Sequence, residues 1–162
     1  MGYHNIEIKK GVYGEWSKVE EEIDEILDSL DQQLKPMLLI ELCDCLGALR
    51  AFFIPEETKP GFLSYQEMLF ELSIKGNKYR QYKSIDIVVE RFKTDLIYNK
   101  SSPSVINVTK SILDFVEIYF NDSISFIDLI KFSNKTSEVK EQERLLQEAK
   151  LAASMGLEYV NK

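Results

Sequence analysis

An all-α helical bundle is the fold class that this sequence predicts, and three observations carry it. Apolar residues recur at helical spacing through two consecutive arms within 11–53: Val19, Ile23, Ile26, Leu27 and Leu30, then Leu38, Leu39, Ile40, Leu42, Leu46, Leu49 and Phe53. Further amphipathic stretches follow, separated by connections rich in Pro, Gly, Asn and Ser. The pattern also recurs at an offset of 67 residues, which sets Ser17 on Ser84 and Pro36 on Pro103.

Taken in order, 1–10 is a polar lead-in with a short extended segment expected around Ile6 and Ile8. Its His4 is the only histidine and reads as a mobile surface residue. Gly11-Val-Tyr-Gly14 is a turn, and Ser17 would cap the first helix if that helix starts late. The first arm breaks at Asp31-Gln32-Gln33 and is stopped by Pro36. After the second arm, 54–61 is a loop with two prolines. A third helix is expected over 62–74, with Ser64 as its cap and Glu67 at capping-box spacing. A basic, aromatic run occupies 75–83. Helices are then expected over 84–98 and 104–120, with a loop at 99–103 between them. A turn at 121–123, a short helix from Ser125 and a polar patch at 133–137 precede a last helix over about 138–159. Leu145, Ala149, Ala152 and Met155 form the stripe of that last helix.

The chain of 162 residues is expected to form a single domain, long enough to bury a core. A formal net charge of -7 argues against generic nucleic-acid binding. It is compatible with a nucleotide enzyme whose carboxylates hold a metal ion. No run approaches a membrane span or the core of a signal peptide. Gly2 lacks a myristoylation context, because Ile6 stands where Ser or Thr is needed. Cys43 and Cys45 flank Asp44 and would point to different sides of a helix, so they read as reduced packing residues in a cytoplasmic protein.

Two acidic clusters stand out inside the apolar arms: Glu20-Glu21-Glu22-Ile23-Asp24-Glu25, and Glu41-Leu42-Cys43-Asp44. Residues three apart share a helix face, so Glu22 projects with Glu25, and Glu41 with Asp44. A short connection favours antiparallel arms, which lets the four carboxylates converge. Converging carboxylates repel unless a cation sits between them, and oxygen ligands without histidine or thiolate suit magnesium or manganese. The plain alternative is a solvated acidic face with pairs such as Lys18 and Glu22. Glu41 and Asp44 weigh against it, since they lie within an apolar run where unpaired charge is costly.

Gly11-Val-Tyr-Gly-Glu-Trp-Ser-Lys-Val-Glu-Glu-Glu-Ile-Asp-Glu25, followed by Ile40-Glu-Leu-Cys-Asp-Cys-Leu-Gly-Ala48, resembles the MazG-type all-α nucleoside triphosphate pyrophosphohydrolases, especially the small phage and bacterial members and their dUTPase and dCTPase relatives. The resemblance covers roughly the first third of the chain. Its signature, EExxE, a spacer and ExxD, falls on Glu21, Glu22, Glu25, Glu41 and Asp44. It implies Glu22, Glu25, Glu41 and Asp44 as metal ligands, Mg2+ as cofactor with Mn2+ as the alternative, and Glu21 as general base. Lys18, Lys75, Lys78 and Arg80 are candidates for the phosphates, with Lys131 and Lys135 secondary; there Ser137 and Glu138 depart from the family's basic stretch. Trp16 is a candidate for stacking on a base, with core packing as the competing reading.

The resemblance also gives the offset a meaning. Family members build their bundle from two or more chains, so a homodimer is one expectation. A tandem chain is the other, with a catalytic half over 11–83 and a degenerate half over 84–162. At the offset, Glu22, Glu25, Glu41 and Asp44 fall on Val89, Phe92, Val108 and Ser111. The second hairpin is then expected to pack on the first about a pseudo-two-fold axis. The implied function is conversion of an NTP or dNTP to the monophosphate and pyrophosphate, in pool cleansing or phage nucleotide metabolism. A non-catalytic nucleotide-binding or protein-interaction module on the same scaffold is the second reading.

Overall fold

The two acidic arms fold as a helical hairpin, α1 (Trp16–Gln32) and α2 (Lys35–Glu57), in a computed structural model that describes residues 4–57 and 64–120. Three helices follow: α3 (Tyr65–Ser73), α4 (Ile85–Ser101) and α5 (Val105–Tyr119). Every regular element among the described residues is a helix, as the periodicity requires. The lead-in forms no strand around Ile6 and Ile8; Ile6 is exposed, and an isolated extended segment has no partner edge to pair with. Of the expected loop over 54–61, residues 54–57 instead continue α2 through Pro55; its remainder, the first residues of the expected third helix and the expected elements beyond residue 120 lie outside the described residues.

The hairpin turn is tighter than its prolyl punctuation suggests. Gln33 takes a left-handed conformation (φ 57°, ψ 36°), and its N–H returns to the Leu30 carbonyl. Leu34 N–H returns to Ser29, closing the end of α1. Pro36 therefore does not stop the first arm. It lies in the first turn of α2, where its missing N–H costs no helical bond.

Ser17 differs from expectation too. Glu15 is the N-cap of α1 and makes no side-chain capping bond, whereas Ser17 Oγ accepts the Val12 N–H at 2.9 Å. The hydroxyl folds the lead-in back over the helix start. Ser64 caps α3 through the Glu67 N–H at 3.2 Å, at the anticipated capping-box spacing. Ser84 and Ser104 cap α4 and α5 through Asp86 and Asn107. Such caps contribute about 1 kcal/mol each. Asn99 belongs to α4 rather than to a loop, with its amide donating to the Asp95 carbonyl.

α4 packs on α1 in the opposite direction. Lys93 pairs with Asp31 and Lys100 with Asp24, both at 2.8 Å, so advancing seven residues along one helix means retreating seven along the other. α5 closes on α4 through aromatic rings: Phe92 stacks on Phe115 with centroids 3.9 Å apart, and Phe115 on Tyr119. Tyr65 ties α3 to α2 by donating its hydroxyl to the Leu46 carbonyl at 2.9 Å.

The basic run after α3 is pinned to α5. Lys110 Nζ donates to the carbonyls of Leu72 and Gly76 while pairing with Asp114 at 2.8 Å. An ammonium there serves the carbonyls left over at the end of α3. Asp114 Oδ2 also accepts the Lys78 N–H, and its carbonyl accepts the Asn77 amide.

At the 67-residue offset, the second arms correspond in burial: Val108, Ile112, Leu113, Phe115 and Val116 are buried, as are Glu41, Cys45, Leu46, Ala48 and Leu49. The first arms do not. Val19 and Ile23 are buried, while Asp86 and Glu90 at the matching places are exposed. α1 is covered by α2, by α4 and by the lead-in, so it buries more of its circumference than α4 does. Among the described residues, no helix is long and apolar enough to cross a membrane.

Candidate metal centre

Four carboxylates converge inside the α1–α2 hairpin. Glu22 and Glu25 come from consecutive turns of α1, and Glu41 and Asp44 from consecutive turns of α2. One oxygen from each lies within 4.8 Å of all the others. The apolar residues that interleave them bring this about: Val19, Ile23 and Ile26 face Leu38, Leu42 and Leu46 in one cluster. Packing those stripes turns the acids toward each other across the hairpin. Glu22 and Glu41 are buried, at 5% and 4% exposure, while Glu25 and Asp44 are half-buried at the rim.

Burial has electrostatic consequences. Desolvation, with the charges of Asp44 and Glu25 beside it, pushes Glu22 well above the usual carboxylate range. Glu41 rises as well, from burial, from its hydrogen bond with Glu25 and from Asp44. Glu25 goes down: burial is the largest single influence and opposes its charge, but the hydrogen bonds with Glu41 and Glu22 and the charges of His4 and Lys18 together outweigh it. Without a cation, Glu22 and Glu41 therefore hold their protons to higher pH than ordinary carboxylates do. Glu22 Oε2 is buried with no hydrogen-bond partner. A buried, orphaned carboxylate oxygen on a member of this ring fits a divalent cation, since each of the four acids offers a hard oxygen.

Glu21 sits outside this ring. It is buried, accepts the Gly11 N–H through Oε1 at 2.8 Å, and accepts from Lys18 Nζ through Oε2 at 3.0 Å. Both oxygens thus hold the lead-in and Lys18, and proton abstraction by Glu21 would require an exchange of these bonds. Lys18 also pairs with Glu22 at 3.2 Å. The attraction of Glu22 and Glu21 outweighs the burial that disfavours its charge, so its pKa is raised.

Trp16 is half-buried. Its indole N–H donates to the Lys100 carbonyl at 2.9 Å, and its ring meets Phe52 edge-on at 5.3 Å. It joins α1 to α2 and α4, which is the packing role. Lys78 and Arg80 point elsewhere: Lys78 Nζ reaches Ser111 Oγ at 2.6 Å and Asp95 at 3.3 Å, and Arg80 pairs with Glu117. Lys75 is exposed and offers its carbonyl to Lys110. Lys131 and Lys135 lie outside the described residues.

Of the four positions matched to the acids, Phe92, Val108 and Ser111 are buried and Val89 is half-buried. Ser111 and Asp95, matched to Asp44 and Asp28, hold the ammonium of Lys78 between them. A cavity of about 720 Å³ opens at the hairpin turn between Leu34, Met37, Val89 and Tyr119, and none of the four acids lines it.

The sequence reading missed His4. It is half-buried against the hairpin, with Nδ1 2.8 Å from Asp28 Oδ2 and Nε2 facing Glu25 and Glu41. Asp28 was the available signal, because it is an acid on a buried face of α1 with no basic residue one helical turn away. Cys43 and Cys45 are free and buried, with thiols pushed up by burial, so they serve packing. Comparisons with protein-family models, curated proteins and solved structures find no match to this chain.

Proposed function

We propose that this protein is a divalent-cation-dependent nucleotide pyrophosphohydrolase that converts an NTP or dNTP and water to the monophosphate and pyrophosphate. The observation that carries the reading is the convergence of Glu22, Glu25, Glu41 and Asp44 within 4.8 Å inside an apolar hairpin. The EExxE and ExxD spacing that suggests the MazG-type family supplies these same residues. They would hold Mg2+ or Mn2+. When bound, such an ion activates water and neutralises charge on the phosphates.

The chain's own residues do the remaining work. Glu25 and Asp44, at the rim, are the ligands that a triphosphate would approach first. Lys18 balances the buried charge of Glu22 and Glu21 and so keeps the deprotonated, ligand-ready form of Glu22 accessible. Glu21 fixes the Gly11 turn that covers the mouth of α1.

The second reading is a non-catalytic nucleotide-binding or protein-interaction module. The engagement of Lys18, Lys78 and Arg80 with acidic or hydroxyl partners favours it, since each would have to be released to meet phosphate. A panel of NTPs and dNTPs with Mg2+ or Mn2+ decides. Monophosphate and pyrophosphate as primary products support the enzyme. Orthophosphate with diphosphate places the attack elsewhere and ends the pyrophosphohydrolase reading, and binding without turnover leaves the module.

A further inference from the structure

The lead-in brings the chain's only histidine to the carboxylate ring. His4 Nδ1 lies 2.8 Å from Asp28 Oδ2, an oxygen that also accepts the Asn5 N–H at 3.2 Å and the Gln32 amide at 2.8 Å. Asp28 is 5% exposed, so its carboxylate is a buried clamp for residues 4 and 5. With Nδ1 held at Asp28, Nε2 faces the ring. Nε2 stands 3.8 Å from Glu41 Oε1 and 4.0 Å from Glu25 Oε2.

Those distances are too long for hydrogen bonds, which end near 3.2 Å. They fit two ligands of one ion, since metal–ligand bonds of about 2.0–2.2 Å place ligand atoms roughly 3.0–4.4 Å apart. His4, Glu25 and Glu41 thus form a ligand group that shares two members with the four-carboxylate group. A carboxylate holding the far nitrogen of an imidazole is the arrangement that orients metal-bound histidines and raises their basicity.

We propose that His4 is a nitrogen ligand of this centre, positioned by Asp28, and that the resident ion is a first-row transition ion such as Mn2+ rather than Mg2+. The inference rests on the reading of the carboxylate ring as a metal centre. Imidazole favours transition ions, whereas Mg2+ prefers an all-oxygen shell.

The test uses the untagged full chain loaded with Mn2+ and read by pulsed electron paramagnetic resonance. Because His4 is the only histidine, an imidazole nitrogen coupling has one source. Labelling histidine with 15N must change that coupling, with no substitution needed. His4→Ala should weaken Mn2+ binding by about 10-fold or more and leave Mg2+ binding within about threefold. Asp28→Asn should lie between His4→Ala and the unaltered chain. Mn2+ bound without a nitrogen coupling overturns the inference and leaves the carboxylate centre standing. Failure of the unaltered chain to bind Mn2+ any better than Glu41→Gln overturns both.

Discussion

Gly11 donates its backbone N–H to Glu21 Oε1 at 2.8 Å, across the ten residues that separate them. The approach is possible only for glycine. A Cβ at position 11 would fall 2.2 Å from the Ser17 carbonyl oxygen and 2.4 Å from the Lys18 nitrogen, both backbone atoms of α1. The lead-in therefore lies directly on the first turn of the helix, and the buried Glu21 carboxylate is satisfied by a main-chain donor. Gly11→Ala should cost about 1–3 kcal/mol, because helix backbone cannot yield as a side chain does. Gly76→Ala is the control: a Cβ there meets nothing within 4 Å, and the change should lie within about 0.5 kcal/mol. Urea unfolding of the two variants beside the unaltered chain is the measurement.

Glu41→Gln should abolish metal-dependent turnover while leaving the helical content intact. Burial already favours the neutral form of Glu41, and glutamine reproduces its shape without the charge. In metal-free protein the melting temperature should rise by a few degrees, on the order of 1 kcal/mol for a relieved carboxylate. Thermal melts with and without Mn2+ check both halves. Retained activity in a folded variant would remove Glu41 from the ligand set.

The pH dependence follows from the same two buried acids. Glu22 and Glu41 have folded-state values above the ordinary 4.5 of glutamate, so the folded chain binds more protons than the unfolded one. Their contribution is fully present below 4.5 and is lost as pH rises through the raised values. Glu25 works in the opposite sense, and only below the ordinary carboxylate range. Metal-free protein should thus lose stability as pH rises above 4.5. Metal binding needs the deprotonated acids, so the shift in melting temperature on adding Mn2+ should grow over the same interval. A metal-induced shift independent of pH would contradict this.

How much of this was legible in the chain depends on the range over which each feature acts. The helices follow from local apolar spacing, and the Ser64 cap follows from a serine three residues before Glu67. The convergence of the four carboxylates was also legible, because three-residue spacing fixes a shared face on each arm and a short turn fixes their relation. What escaped is what tertiary contact decides. Ser17 looks like a cap until the lead-in returns to claim its hydroxyl through Val12. His4 looks mobile until Asp28, 24 residues away, receives it. The basic run looks ready for phosphate until Ser111, Asp95 and Glu117 arrive from α4 and α5. Trp16 could not be assigned to core or ligand without the Lys100 carbonyl that takes its N–H.

The last prediction concerns the second hairpin. At the 67-residue offset, Glu22, Glu25, Glu41 and Asp44 fall on Val89, Phe92, Val108 and Ser111, where new carboxylates would not be equally costly. The geometry separates them. Phe92 lies flat on Phe115, and Val108 is fully buried. Phe92→Glu and Val108→Glu would each bury a charge among apolar groups and should cost more than about 3 kcal/mol. Ser111 differs, because its hydroxyl lies 2.6 Å from Lys78 Nζ, so Ser111→Asp would meet an ammonium already in place. Its cost should stay below about 2 kcal/mol, and Lys78→Met should remove that tolerance. The coupling between the two changes, measured as a double-mutant cycle by chemical denaturation, should be at least about 1 kcal/mol. Such coupling would mean that the second hairpin keeps a lysine ammonium at the place where the first gathers four carboxylates. A coupling near zero would mean that Lys78 does not offset a carboxylate at position 111.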